Sequence, residues 1–450
     1  MAEDIGEIPR EILEPLESQV LAGQRAVVIG ASIAGLAAAE ALARQGAEVV
    51  LVDRDDMPEG PEQRDGVRHG DQMHNFLVGG QDAARHFWPG YEAKLRELGA
   101  GFVPLASGLH VRAAGVTMPS AGMGRDWVSA QRPVYEAAGR NLLSDNVEWR
   151  EQMTVTGLEV VDNAIRGVRL KAKDSTEETT EEASIVVDAT GMHGLRPIAR
   201  KWLEAAGVEV PRLDVVEPGL YQHFSSIVVD RLPDSEHQEN MFRVVLPNQG
   251  TGGRGVVSVP VASDKWHISA NRRGRGLMPG TFDQLIQHAS AVEQGDEVIA
   301  NILRKVQAQA TAEGQPLGDL AKYTIPELRS VRYEKLEEPV EGFFATGDAL
   351  ATTNPMDGQG LTRAIILAKV IEIVAQKSNG DMGEFTRQYH KYAAAVVEEG
   401  RAASGGTAGM REEDARDLAK HFVRNPEDYK AILKSTHLMG SQVLKALLAE

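Results

Sequence analysis

Glycine, serine and aspartate recur at the ends of apolar runs in this chain, and their first occurrence defines a binding chemistry. The run Ala26–Ile29 ends at Gly30, and a small-residue turn (Ser32, Ile33, Ala34, Gly35) opens a helical run to Gln45. Gly46 stops that helix, and a second apolar run, Val49–Val52, ends at Asp53. A glycine at the strand end permits a tight turn. Small residues at the helix start let backbone N–H groups reach a phosphate, which the positive helix N-terminus attracts. A carboxylate at the tip of the second strand can accept hydrogen bonds from a ribose diol. The Gly30-to-Asp53 separation suits the roughly 20-residue spacing of a dinucleotide-binding βαβ unit. Ser32 replaces the central glycine of that fingerprint, and its hydroxyl could itself donate to phosphate. Two other readings share the pattern. One is an ordinary strand–turn–helix; the other is the Gly-x-Ser-x-Gly elbow of a hydrolase, whose last position here is Ala34.

The same device occurs twice more. Ile185–Gly191 runs from an apolar strand into Asp188 and Gly191. Gly342–Leu361 runs from Phe343–Ala345 through Gly347 and Asp348 to Pro355, Gly358, Gly360 and Leu361, and a helical run then continues to Gln376. A carboxylate at a strand tip can hold a sugar hydroxyl. A glycine-rich helix start can face an electron-rich ring edge, an attraction worth about 0.3–1 kcal/mol per charge. Each of these stretches alone also reads as a plain turn between strand and helix. Three in this order are hard to obtain by accident.

The rest of the chain must position these turns. Its 450 residues suffice for two or three domains. A net charge of −17 argues against nucleic acid and anionic membrane surfaces. No run of 18 apolar residues occurs, so no integral membrane segment is expected. With no cysteine, disulfides, thiolate metal sites and cysteine-dependent redox enzymes are excluded. Residues 1–21 are acidic and broken by prolines, and read as a tail or short amphipathic arm with no targeting signature; a cytoplasmic location follows as the default. Alternating strand-like segments (Tyr221–Val229, Met241–Leu246, Gly255–Val261, Trp266–Ala270) predict an antiparallel sheet. The acidic run Lys171–Ala183 reads as a hairpin loop, and Leu361–Gln376, Gly383–Glu399, Glu412–Val423 and Tyr429–Leu448 read as helices. The expected fold is α/β (α+β): a Rossmann-like dinucleotide domain (22–100, 130–205, 335–376) interrupted by an antiparallel β substrate domain (101–129, 206–334), then a helical C-terminal region (377–450).

Taken together, GASIAG with Asp53, VVDATG and ATGDALATTNPMDGQGL resemble the flavin monooxygenases of the para-hydroxybenzoate hydroxylase type, over residues 25 to 375. Gly60-Pro61-Glu62-Gln63-Arg64-Asp65-Gly66-Val67, His69, His74 and Leu77-Val78-Gly79-Gly80 are similar to the polyether-epoxidase branch. Met356-Asp357 departs from that branch, as does the lack of a Pro-Gln-x-x-His segment after Val67. The resemblance implies FAD as cofactor, NAD(P)H as co-substrate and O₂ as oxidant. It implies transfer of one oxygen, through a flavin C4a-hydroperoxide, to an apolar or aromatic small molecule, as in secondary metabolism. Gly30, Ser32, Ile33, Ala34 and Gly35 would then hold the pyrophosphate, Asp53 the adenosine ribose, and Arg54 the adenine. Arg64 would lie near the ribityl and pyrophosphate groups, Arg132 with Gln131 along the FAD chain, and Val155 against adenine. Asp188 and Gly191 belong to a motif tied to FAD and NAD(P)H; Asp348 would bind the ribityl chain or the phosphate, and Pro355, Gly358, Gly360 and Leu361 would lie along the isoalloxazine. His69 and His74 would line the flavin entrance, and with no third ligand at metal spacing no metal is expected. Tyr221, His223, Phe242 and Trp266 are substrate-pocket candidates on the β domain, or core. No catalytic side chain is required, because the cofactor carries the chemistry. A prenyl-reductase type of enzyme and a non-redox FAD-bound cyclase or scaffold share these motifs. The Trp-x-Trp-x-Ile-Pro segment of flavin halogenases does not occur.

Overall fold

The computed structural model describes residues 18–104, 108–120, 126–192, 197–217, 219–232, 241–403, 407, 409–439 and 441–449; most of the expected N-terminal tail, residues 1–17, lies outside them. Two sheets dominate. The first is a five-stranded, all-parallel sheet in the order Phe343–Ala345, Ile185–Asp188, Arg25–Ile29, Glu48–Val52, Val147–Arg150. Its inner strands read as continuous Val, Ile and Ala because both faces are covered, by helix Ile33–Arg44 and by the antiparallel strands Met153–Val161 and Ala164–Ala172. Helix Ile33–Arg44 buries an alanine-rich stretch, and helix Gly360–Ser378 is buried along nearly its whole length.

The second sheet has seven strands, in the order 321–325, 222–230, 265–273, 254–262, 242–246, 109–113, 116–117. It is antiparallel except for Phe242–Leu246, which pairs in parallel with Leu109–Ala113, a correction to the fully antiparallel expectation. One face packs on helices Phe282–Glu293 and Val298–Glu313 through Ile227, Val256, Trp266 and Ile268. Strand alternation then turns Phe224, Ser226, His267, Ser269 and Asn271 to the opposite face.

Two other expectations are corrected. Within the acidic run, Glu178–Glu182 is a strand paired with Gly167–Lys171. It is a charged edge strand, and Glu181 is held by Arg25 at 2.6 Å. The segment Tyr429–Leu448 is two helices, Pro426–Thr436 and Gln442–Ala449, separated where Leu438 takes a φ of +51°. Gly79 and Gly80 lie inside helix Val78–Phe87: a Cβ at Gly80 would stand 2.7 Å from Thr362 Cα, so Gly80 serves the close approach of two helices, while Gly79 faces the carbonyls of His437 and Leu438.

Candidate functional site at the parallel sheet edge

The three strand-ending turns come from adjacent strands of one parallel sheet and lie at its carboxyl edge. Arg25–Ile29 has Glu48–Val52 on one side and Ile185–Asp188 on the other, so the strand order reverses there, the position at which such sheets bind ligands. The turns touch. Gly30 has a φ of +101°, and a Cβ on it would stand 2.7 Å from the carbonyl oxygen of Ala189. Gly347 has a φ of +58°, and its Cβ would stand 2.9 Å from Cβ of Ala34. Ala189 N–H donates to Ile29 O at 2.9 Å, and Thr346 N–H donates to Asp188 O at 2.9 Å.

The helix that begins at Ile33 has no side-chain cap and no acidic residue in its first turn, which leaves its N-terminal N–H groups for an anion. Asp53 clamps the turn: Oδ2 accepts from Ala31 N–H at 2.7 Å and Oδ1 from Asp55 N–H at 2.9 Å. The Ser32 hydroxyl, read from sequence as a phosphate donor, instead donates to Glu136 Oε1 at 2.8 Å and accepts from Arg132 Nη2 at 2.7 Å. Its helical register aims it at the neighbouring helix Arg132–Asn141. Gln131 occupies the N-cap of that helix without a capping side chain.

Glu136 is the residue that sequence reading missed, and its signal was its place one helical turn after Arg132. It is buried between Arg132 (Nε, 2.9 Å) and Arg64 (Nη2, 3.0 Å). Burial alone would raise its pKa, but the two guanidinium groups outweigh that and hold it below the usual carboxylate range. Arg64 also reaches Asp55 at 3.0 Å and Asp53 at 3.5 Å. Burial would lower its pKa, and the attraction of Glu136 and the two aspartates overcomes this and raises it.

Arg132 extends the network. Its Nη1 donates to His74 Nε2 at 3.0 Å and to His69 Nε2 at 3.3 Å. Both imidazoles are thereby acceptors at Nε2, and the proton of His74 sits on Nδ1, which donates to Gln72 O at 2.9 Å. Burial and then Arg132 depress both, His69 to about 4, so both are neutral at pH 7. His69 stacks on Tyr323 of the seven-stranded sheet at 5.3 Å, and Gln72 Oε1 accepts from Ser226 Oγ at 2.9 Å. The histidine loop thus bridges the two sheets. Among the described residues no group of three His, Asp or Glu could hold a metal.

The remaining candidates fall around this edge. Asp188 is fully buried; Oδ1 accepts from Thr190 N–H and Oγ1, Oδ2 has no partner, and burial pushes its pKa up to about 6. Gly191 has a φ of +72°. Asp348 is 42% exposed and stands 3.5 Å from the buried Arg363. Pro355 opens a short turn capped by Asn354, Gly358 takes a φ of +65° against Asn75, and Gly360 and the buried Leu361 begin helix Gly360–Ser378. Val155 is buried in strand Met153–Val161, whose first N–H donates to Asp53 O at 2.9 Å. Arg54 is half-exposed beside Asp55. Of the pocket candidates, Trp266 is on the helix-covered face and Phe242 is packed on Trp127 at 4.5 Å, so both are core. Tyr221 and His223 stack at 6.5 Å at the start of strand Gln222–Asp230.

The donor set suits an extended dinucleotide: an uncapped helix N-terminus, two arginines, and glycines where a side chain would block the cradle. Residues 26–203 match the FAD dependent oxidoreductase family. The fold is that of a flavoprotein: FAD is the cofactor and the protein is an oxidoreductase. Among particular proteins, it is similar to Protein Rv3254 of Mycobacterium tuberculosis, 27% identical over 384 residues that cover 82% of this chain and 77% of that protein. Its fold is that of HpxO from Klebsiella pneumoniae, solved with FAD and uric acid (TM-score 0.63, 16% identity, covering 95% of this chain and all, 100%, of that one). PqsL from Pseudomonas aeruginosa, solved with 2-aminobenzoylacetate, gives a TM-score of 0.61 at 16% identity over 90% and 99% of the two chains. The flavin-dependent brominase Bmp2 gives 0.63 at 12% identity over 95% and 97%. No helix among the described residues is long and apolar enough to cross a membrane.

Proposed function

We propose that this oxidoreductase is an FAD-dependent monooxygenase that uses NAD(P)H and O₂ to hydroxylate or epoxidise the aromatic ring or alkene of a small molecule. The observation that carries the reading is the meeting of three strand-end turns at one edge of the parallel sheet, bridged by Arg132, His69 and His74 to the second sheet. Bound FAD would supply the redox chemistry, accepting hydride from NAD(P)H and activating O₂.

The residues have binding and orienting work. The N–H groups at the start of helix Ile33–Arg44, with Arg132 and Arg64, would hold the pyrophosphate, Asp53 the adenosine ribose and Arg54 the adenine edge. Asp348, half-exposed, would take a ribityl hydroxyl, and Pro355 to Leu361 would lie along the ring. His69 and His74 are neutral and hydrogen-bonded to Arg132, so they orient the bridge between the sheets rather than move a proton. The paired arginines and carboxylates keep a charged, dry wall beside the cofactor.

The test is direct. Purified protein should show flavin absorbance, and a substrate should stimulate NAD(P)H oxidation with matching O₂ consumption. A colourless protein that FAD does not reconstitute would overturn the reading. NAD(P)H-dependent saturation of a double bond without O₂ uptake would replace it with a reductase.

A further inference from the structure

The face of the seven-stranded sheet turned away from its helices carries polar side chains that the protein leaves unmatched. Gln222 (0% exposed), His267 (1%) and Asn271 (1%) alternate with the residues that pack on helices Phe282–Glu293 and Val298–Glu313, so they share the face of Ser226 and Ser269. Both amide atoms of Gln222, both ring nitrogens of His267 and Oδ1 of Asn271 have no hydrogen-bond partner among the described residues. Buried polar atoms are nearly always paired, and an unpaired one costs stability. The same face leads to the cofactor edge: Ser226 bonds Ser269 at 2.8 Å and Gln72 at 2.9 Å, and Tyr323 stacks on His69.

We propose that Gln222, His267 and Asn271 form a recognition row for the substrate, and that the substrate is a neutral, oxygenated molecule bearing hydroxyl or carbonyl groups, neither a bare hydrocarbon nor a carboxylate. This rests on the oxygenase reading and narrows it. Gln222 and neutral His267 each offer one kind of donor and one kind of acceptor, and Asn271 Oδ1 accepts. Burial holds His267 at about 4, so it brings no charge. Arg273, a cation on this face of strand 265–273, is committed to Glu217 at 3.2 Å, so the row itself brings no free charge to match an anion. Half-buried Phe224, opposite Asn271, supplies an apolar flank.

The experiment uses the full chain with FAD and two variants of similar shape, Gln222→Met and His267→Phe. The probes are 1-naphthol and 1-tetralone (neutral, oxygenated), naphthalene (hydrocarbon) and 1-naphthoate (anion), titrated by the perturbation of the flavin spectrum. Expected are tighter binding of naphthol or tetralone than of naphthalene and naphthoate, and a loss of about tenfold or more of that binding in each variant. Each variant should also melt about 1–3 °C higher without probe, because it removes unmatched buried polar atoms. Equal binding of naphthalene, or preferred binding of naphthoate, overturns the proposal. So does a lower melting temperature in both variants, which would mean that the groups are satisfied within the folded protein. Melting is read without substrate or NAD(P)H, so it separates failure of the row from failure of the oxygenase reading, which would show as absent flavin or absent O₂ uptake.

Discussion

The two sheets treat buried polarity in opposite ways. At the edge of the parallel sheet, Asp53, Arg64, Arg132 and Glu136 are all buried or nearly so, and each is paired two or more times. On the facing sheet, Gln222, His267 and Asn271 are as deeply buried and unpaired. A charged lattice must be neutralised within the protein, because an isolated buried charge costs far more than folding can supply. A neutral amide or imidazole costs only a few kcal/mol when unmatched, so it can be left for a ligand. One wall is built to be complete before its partner arrives, and the other to be completed by it.

The sharpest way to break this contrast is at Arg132. Arg132→Met should strand Glu136 on Arg64 alone and free Ser32 and both histidines, costing about 3 kcal/mol in urea unfolding and most of the bound FAD. An unchanged flavin content would show that the lattice is structural only. Gly30→Ala comes next: its φ of +101° and the nearby Ala189 carbonyl should cost about 2–3 kcal/mol and lower FAD affinity more than tenfold, measured by equilibrium dialysis.

Asp188 tests an unmatched atom on the paired side. Its pKa is raised from 3.8 to about 6, so in that window the folded protein binds more protons than the unfolded chain, and stability falls as pH rises from 4 to 6. Asp188→Asn should therefore be more stable than the parent at pH 7.5, by on the order of 1–3 kcal/mol, with the advantage vanishing near pH 4. Parallel unfolding curves at both pH values decide it; a gain that persists at pH 4 rejects the titration account. The smallest stability effect is expected at half-exposed Asp348. Asp348→Ala should reduce FAD occupancy while changing stability by less than about 0.5 kcal/mol, and full occupancy would remove it from the site.

By itself the sequence determined the local devices. Strand–glycine–helix signals in Ala26–Asp53, Ile185–Gly191 and Gly342–Leu361 are read from neighbours a few residues apart, because turn geometry and helix starts depend on local backbone sterics and hydrogen bonds. The alternation of the β domain was legible for the same reason, although its one parallel pair was not. Tertiary structure alone decided how these pieces use one another. Ser32 looked like a phosphate donor until Glu136, 104 residues away, took its hydroxyl. Trp266 and His267 were indistinguishable in sequence until sheet packing sent one into the helix-covered core and the other to the opposite face of the sheet. Pairing and burial are set by which surfaces meet, and residues far apart in the chain do not announce that meeting in their own neighbourhoods.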